Sequence, residues 1–290
     1  MSDNHPGSAP RQQIAGKGAR MRAQGKTIAV TGGGNGIGRE VVLQLLSKGA
    51  RVAALDISDE GLAETARLAG ANAERLSTHV VNITDRAAVE ALPSAITDRH
   101  GQIDGLMNVA GIIQPFVLFN DLDYSAIERV IDVNLWGTIH TTKTFLPHLL
   151  DRPEAHIVNV SSMGGFLPVP GQTIYGVSKA GVKLLTEALH SELAATNVGV
   201  TVVFPGAIKT NISVNSGVVT QAEAEKQTAS SNYKTTEPAV AAQMIIDGME
   251  QNAYRVRIGS DATFMDRFSR LSPKRAAALI YKQMKDLLPS

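Results

Sequence analysis

The sequence predicts a doubly wound α/β domain, a parallel sheet with helices on both faces. Two observations carry this. From Lys26 onward, short apolar runs alternate with longer helical stretches, and a glycine cluster lies between the first run and the first helix. At 290 residues and 30.7 kDa the chain can wrap one large core. Hydrophobic residues at 43% and charged residues at 19% exclude disordered and fibrous classes. The complete absence of cysteine excludes a disulfide scaffold, a thiolate zinc site and a cysteine nucleophile, and fits a reducing, cytoplasmic setting.

The apolar runs place strands at 27–31, 51–56, 76–81, 105–109, 156–161, 200–204 and 255–258. Seven strands in one alternating series read as a single domain. Helical stretches fill 37–48, 59–69, 85–99, 123–150, 173–195, 237–251 and 262–288, and Pro93 is expected to kink or shorten the third. Residues 211–236 are polar and weakly periodic, which reads as a lid. The divisions that follow are a flexible tail at 1–24, a catalytic domain at 25–260 and a C-terminal helical extension at 261–290. That tail contains no apolar run of signal-peptide length, and no stretch is apolar for long enough to span a membrane.

The glycine cluster IAVTGGGNGIGRE sits where backbone amides and a helix N-terminus can hold a pyrophosphate. Its spacing is T-G-x-x-x-G-x-G over Thr31, Gly32, Gly36 and Gly38, with Gly33 and Gly34 added, and G-x-G-x-x-G fits no register. Asp56 closes the second strand, downstream of Gly38 and the first helix, where a carboxylate can accept from ribose hydroxyls and would repel a 2′-phosphate. With no cation at Ile57 or Ser58 and a neutral Asn35, NAD is expected over NADP. Arg39 reads as a solvated helix residue. Asp56 could instead be a helix cap, a role open also to Ser58 or Asp59.

Tyr175 and Lys179 are one helical turn apart on one predicted helix face, with Ser162 upstream at the C-terminal end of a strand. A second Tyr-x-x-x-Lys, Tyr281 and Lys285, has Phe268 at the serine's offset and reads as a decoy.

Taken together, TGGGNGIG, Asn108-Val109-Ala110-Gly111, Asn134, Ser161-Ser162, Tyr175-Gly176-Val177-Ser178-Lys179 and Pro205-Gly206 resemble the short-chain dehydrogenase/reductase family from about Lys26 to Gly259. The resemblance implies a Rossmann-type sheet of seven strands, NAD(P) binding, and hydride transfer between nicotinamide and an alcohol or carbonyl, with no metal. It implies a catalytic set of Asn134, Ser162, Tyr175 and Lys179. It implies cofactor contacts from Gly32, Gly34, Asn35, Gly36, Ile37, Gly38, Asp56, Asn82, Ile83, Asn108, Ala110, Gly111, Tyr175, Lys179, Pro205, Gly206, Ile208 and Thr210. A homodimer or homotetramer through the helices at 123–150 and 173–195 is also implied. Two positions depart from the family pattern: Asn82 stands where Asp is usual, and Val109 where a second Asn is usual. An amide oxygen at Asn82 can still accept from adenine.

A free tyrosine, with a pKa near 10, is a poor base at pH 7, so Lys179, together with the positive nicotinamide ring of the oxidised cofactor, is expected to lower the pKa of Tyr175 and favour its phenolate, and Lys179 can also grip the ribose. Ser162 would orient the substrate oxygen, and Asn134 would bend or hydrate its helix to open a proton path to Lys179. Ile113–Phe116, Gly165–Pro170, Ile212 and Val214–Val219 are mostly apolar. They read either as walls for a hydrophobic alcohol or ketone or as ordinary loop packing. A cofactor-sensing module without turnover and a reductase of small polar carbonyls are the alternatives.

Charge is unevenly spread. Residues 1–26 hold five basic and one acidic side chain, and 255–290 hold eight and three, which leaves 15 against 23 between them. An acidic central domain argues against a nucleic-acid partner. The basic C-terminal extension has three readings: a cover over the substrate site, a subunit contact, or a helix on a membrane surface.

Overall fold

In a computed structural model of the protein, residues 20–220, 235–285 and 288 are described. Most of the expected tail and most of the expected lid lie outside that set.

The chain starts with β1 (Thr27–Thr31), α1 (Gly36–Ser47), β2 (Arg51–Asp56), α2 (Asp59–Ala69), β3 (Leu76–Val80), α3 (Arg86–His100) and β4 (Gly105–Asn108). It continues through α4 (Tyr124–Ile131), α5 (Gly137–Leu150), β5 (Ala155–Val160), α6 (Thr173–Glu192), β6 (Val198–Pro205) and α7 (Ile212–Asn215). The last elements are α8 (Pro238–Glu250), β7 (Arg255–Ile258), α9 (Ser260–Leu271) and α10 (Pro273–Met284).

All seven strands pair in parallel in the order β3-β2-β1-β4-β5-β6-β7. Parallel strands covered on both faces are apolar along their whole length, and β1, β5 and β6 are buried at every residue. One core joins the sheet to α1 and α8 through Val41, Leu45, Ile245 and Met249. Another joins it to α3, α5 and α6 through Val89, Ile96, Phe145 and Leu189. Met21 and Ala23, N-terminal to the expected domain start, are fully buried in the first core.

The strand order reverses between β1 and β4, whose ends Thr31 and Asn108 are register partners. A crevice outside the carboxyl ends of strands at such a point is where open α/β sheets bind ligands.

Three expectations change. Pro93 leaves α3 intact over 15 residues, because Val89, Leu92, Pro93 and Ile96 are all buried and their packing outweighs one missing amide bond. The helix expected at 123–150 is interrupted by a wide π turn at Asp132–Trp136. The helix expected at 262–288 breaks at Ser272, with Pro273 opening α10 at the position where its missing N–H costs least.

The basic C-terminal segment is partly neutralised from within. Arg255, Arg257 and Arg270 converge on the buried Asp266 carboxylate at 3.6, 3.0 and 2.8 Å, and Arg255 also bonds Glu187. Near the start of the described chain, Arg22 pairs with Glu250 at 3.7 Å.

Candidate active site

A cleft of about 780 Å³ opens at the carboxyl ends of β1, β2 and β4. Its floor is the glycine loop. Gly32 has φ +73°, and a Cβ at Gly38 would overlap the Gly32 carbonyl oxygen, so the turn from β1 into α1 closes only with glycine at both positions. A Cβ at Gly34 would come 2.9 Å from Asp56 Oδ2, which instead accepts from the Gly34 N–H at 2.9 Å. The Thr31 hydroxyl accepts from Val109 N at 3.0 Å and Ala110 N at 3.1 Å, locking the β1 and β4 turns together.

Asp56 Oδ1 also accepts from Ser58 N at 3.0 Å, while Ser58 itself caps α2 through Gly61 N. The cap is therefore Ser58, which leaves Asp56 on the cleft wall. Arg39 is not a solvated residue. Its guanidinium bonds the Gly34 carbonyl, the Gly61 carbonyl at 3.3 Å and Thr65 Oγ1 at 3.1 Å, because the loop turns its carbonyls toward α1.

Gly32, Gly34, Asn35, Gly36, Ile37, Gly38, Asp56, Asn82, Ile83, Ala110, Gly111 and Thr210 all line the cleft. Asn35 caps α1. Asn82 Oδ1 accepts from Thr84 N and Oγ1 at 3.1 and 2.9 Å. Asn108 is buried with its side chain turned into the core, donating to Asn159 at 2.8 Å and Thr142 at 3.1 Å and accepting from Thr141 at 2.8 Å. Pro205 ends β6 and Gly206 follows it, the segment tied down by Asp261 accepting from Ala207 N at 2.9 Å. Ile208 bridges to Thr236.

Ser162, Tyr175, Lys179 and Asn134 converge beside Gly111. Ser162 follows β5 and hydrogen-bonds the Tyr175 side chain. The Lys179 ammonium donates to the Val160 carbonyl at 3.1 Å and lies 6.0 Å from the centre of the Tyr175 ring. A Cβ at Gly111 would come 3.0 Å from Lys179 Nζ and 3.2 Å from Asn134 Oδ1, so glycine there lets the loop that lines the cleft pass against both groups, although neither lines the cleft itself. Asn134 lies inside the π turn. Its amide accepts from Ile112 N at 2.8 Å and donates to the Ile112 carbonyl at 2.9 Å and Ser178 Oγ at 3.0 Å.

Burial dominates the electrostatics. It pushes the Tyr175 phenol above its ordinary value, with the Ser162 bond opposing, and it pulls Lys179 down to about 8. The expectation that Lys179 lowers the Tyr175 pKa is corrected for the protein by itself: burial raises it, and the group that opposes the rise is Ser162.

The decoy tyrosine, Tyr281, is exposed on α10. A residue not singled out from the sequence is Gln114, fully buried in the loop after β4 and bonded to the start of α6. Its one signal is a polar side chain between Ile112-Ile113 and Pro115-Phe116.

The sequence profile described as short chain dehydrogenase matches residues 26–218. The chain belongs to this family. A Mycobacterium tuberculosis protein named as an oxidoreductase, SadH, is 36% identical over 255 residues, covering 86% of this chain and 91% of that protein. A short-chain dehydrogenase/reductase from Burkholderia phymatum, solved with NAD, superposes with a TM-score of 0.79 at 22% identity, covering 88% of this chain and 96% of that one. One from Burkholderia cenocepacia, solved with NADP, superposes with a TM-score of 0.74 at 26% identity, covering 90% and 99%. The family supports an oxidoreductase, and the two Burkholderia structures carry a nicotinamide cofactor. The glycine floor that a Cβ would fill, with a carboxylate at its far end, suits the pyrophosphate and ribose of such a group. Among the described residues no helix is long and apolar enough to cross a membrane.

Proposed function

We propose that the protein is an NAD-dependent dehydrogenase or reductase of a hydrophobic secondary alcohol or its ketone, with Tyr175 as general acid and base. The carrying observation is the convergence of Ser162, Tyr175 and Lys179 beside Gly111, where the cleft ends. When bound, the cofactor supplies the hydride acceptor or donor at its nicotinamide ring.

The residues then divide the proton work. A phenol kept protonated by burial is ready to donate to a carbonyl oxygen during reduction, while Ser162 orients that oxygen. In the oxidative direction the alcohol proton passes to the Tyr175 phenolate, which the Lys179 ammonium stabilises across the face of the ring. With a pKa of about 8, Lys179 remains mostly charged at pH 7. Asn134, held by the π turn, lies beside this lysine on the side facing Ile112.

Asp56 supports NAD over NADP, because its carboxylate faces a cleft wall without a cation at Ile57 or Ser58 and Arg39 is engaged by backbone carbonyls. An apolar substrate is supported by Met163, Phe166, Leu167 and Val169, which follow Ser162 and pack against Met265, Ile280 and Met284. Exposed Tyr124, Trp136, Val177 and Leu184 support self-association through α4, α6 and the π turn. The lack of cysteine supports a cytoplasmic setting.

Tyr175→Phe tests the reading. Turnover of apolar alcohols should fall by about a thousandfold or more while NADH affinity, measured by fluorescence titration, is kept. Unchanged turnover would overturn the mechanism, and turnover confined to small polyols in a substrate panel would overturn the substrate class.

A further inference from the structure

Helix α6 carries both Tyr175 and Lys179, yet its own first turn provides no cap. Gln172 precedes the helix with φ −128° and ψ 37° and makes no side-chain cap bond. The second and third amides of a helix normally look to such a cap for a partner. Here those amides belong to Ile174 and Tyr175, and both donate to Gln114 Oε1, at 2.8 and 3.0 Å. Gln114 lies far upstream of Tyr175 in the sequence and is fully buried. Its Nε2 donates to the Gly171 carbonyl at 3.1 Å, and its main-chain carbonyl accepts from Gln172 Nε2 at 2.7 Å. Every polar group of this side chain is thus spent on the turn that starts α6.

The three residues before Gln114 are bound to other parts of the site. Gly111 lies against the Lys179 ammonium. Ile112 is held through both backbone polar groups by Asn134, and the Ile113 N–H donates to Ser216 Oγ at 3.0 Å, just after α7. The loop wall of the cleft and the Tyr175 backbone are therefore one hydrogen-bonded unit.

We propose that Gln114 is a positioning residue for the reaction. Its amide oxygen fixes the Tyr175 end of α6 against the cleft wall and so sets where the phenol hydroxyl stands relative to Ser162 and the substrate oxygen. The proposal rests on the reading of Tyr175 as the acid and base. Misplacing a reacting group by about an ångström can cost about a hundredfold in rate, so an uncapped α6 should be felt in kcat.

Gln114→Met keeps the length and removes both accepted bonds, whereas Gln114→Glu keeps an acceptor oxygen. With an apolar alcohol and NAD, Gln114→Met should lower kcat by about tenfold to a hundredfold, with NADH affinity within about twofold of the parent. Its pH–rate profile should move to higher pH, because loosening the Ser162 bond removes what opposes the burial shift on Tyr175. Gln114→Glu should recover most of kcat. Parent kcat and an unmoved profile in Gln114→Met would overturn the proposal, as would equal losses of kcat and NADH affinity in step with melting. Should Gln114→Met not fold, Gln114→Asn keeps the amide but shortens its reach by one methylene, and a parent-like kcat and profile there would overturn it equally. Tyr175→Phe run in parallel separates the two readings. If it retains turnover, the acid and base assignment fails; if it is inactive while the Gln114 variants behave as the parent, only the positioning role fails.

Discussion

Where the glycine loop after β1 meets the cleft, backbone close to backbone sets the shape, whereas the hydrophobic cluster between residues 163–169 and helices α9 and α10 is made of side chains. Gly32, Gly34 and Gly38 leave no room for a Cβ without striking Ala110, Asp56 or the Gly32 carbonyl. In that cluster Met163, Phe166, Leu167 and Val169 meet Met265, Ala276 and Ile280, a set rich in flexible and interchangeable side chains. A surface made of backbone admits one residue type and serves one constant ligand fragment. A surface made of side chains can change with the substrate while the fold stays the same.

The largest effect expected from this contrast is at Gly38. Gly38→Ala must displace the turn, at a cost of about 3 kcal/mol or more, and should weaken NADH binding at least about a hundredfold. Parent affinity in a fluorescence titration would break the contrast. Next comes Leu167→Ala in the side-chain cluster, where a nearly fully buried side chain is cut back. Urea unfolding should show a loss of about 2–4 kcal/mol, and the KM for an apolar substrate should change while NADH affinity does not.

Acid sharpens the comparison, because a titrating group ties together the strands behind the side-chain cluster. His156 on β5 is buried, bonds Thr201 on β6 at 2.9 Å, and is held down to about 3 by burial. The unfolded chain takes up that proton first, near 6.5, so the stability His156 contributes is complete above about pH 7 and is lost as the pH falls. By pH 5 the share due to His156 should reach about 2 kcal/mol in urea titrations, and His156→Gln should remove that share while leaving the one due to His100, which burial also holds down, to about 4. The smallest effect is at Asp56. Asp56→Asn keeps an acceptor but removes the charge, and should shift the preference for NAD over NADP about tenfold, or about 1.4 kcal/mol, in paired KM measurements.

Much of this was legible in the sequence for a physical reason. Strands β1 and β2 begin and end where their apolar runs do, because buried parallel strands are written as largely hydrophobic stretches bounded by turn residues, and β7 at the sheet edge matches its predicted bounds through the alternation of Arg255 and Arg257 with buried Val256 and Ile258. The glycine loop was legible because sterics leave a fixed spacing behind. The break at Ser272-Pro273 was not, since proline at a first helical position costs little and apolar spacing continues on both sides. Arg39 and Gln114 were illegible for another reason. Their partners are mostly main-chain groups outside their own element, on the loop before α1 and on α2 for Arg39 and at the start of α6 for Gln114, and any sequence supplies such groups. The wide turn at Asn134 depends likewise on Ile112 and Ser178, which only the folded chain brings near.

The segment 111–114 sets a limit on how this protein can be edited. Its four consecutive residues face Lys179, Asn134, Ser216 and the start of α6, so each position is matched to a different neighbour. Adding or deleting one residue would pass every neighbour to the wrong position at once, a change that no compensating substitution elsewhere could undo. From Pro115 the chain runs on through exposed Leu118 and Phe119 to α4. Loop grafts meant to reshape the substrate side therefore have a natural left-hand boundary immediately after Gln114.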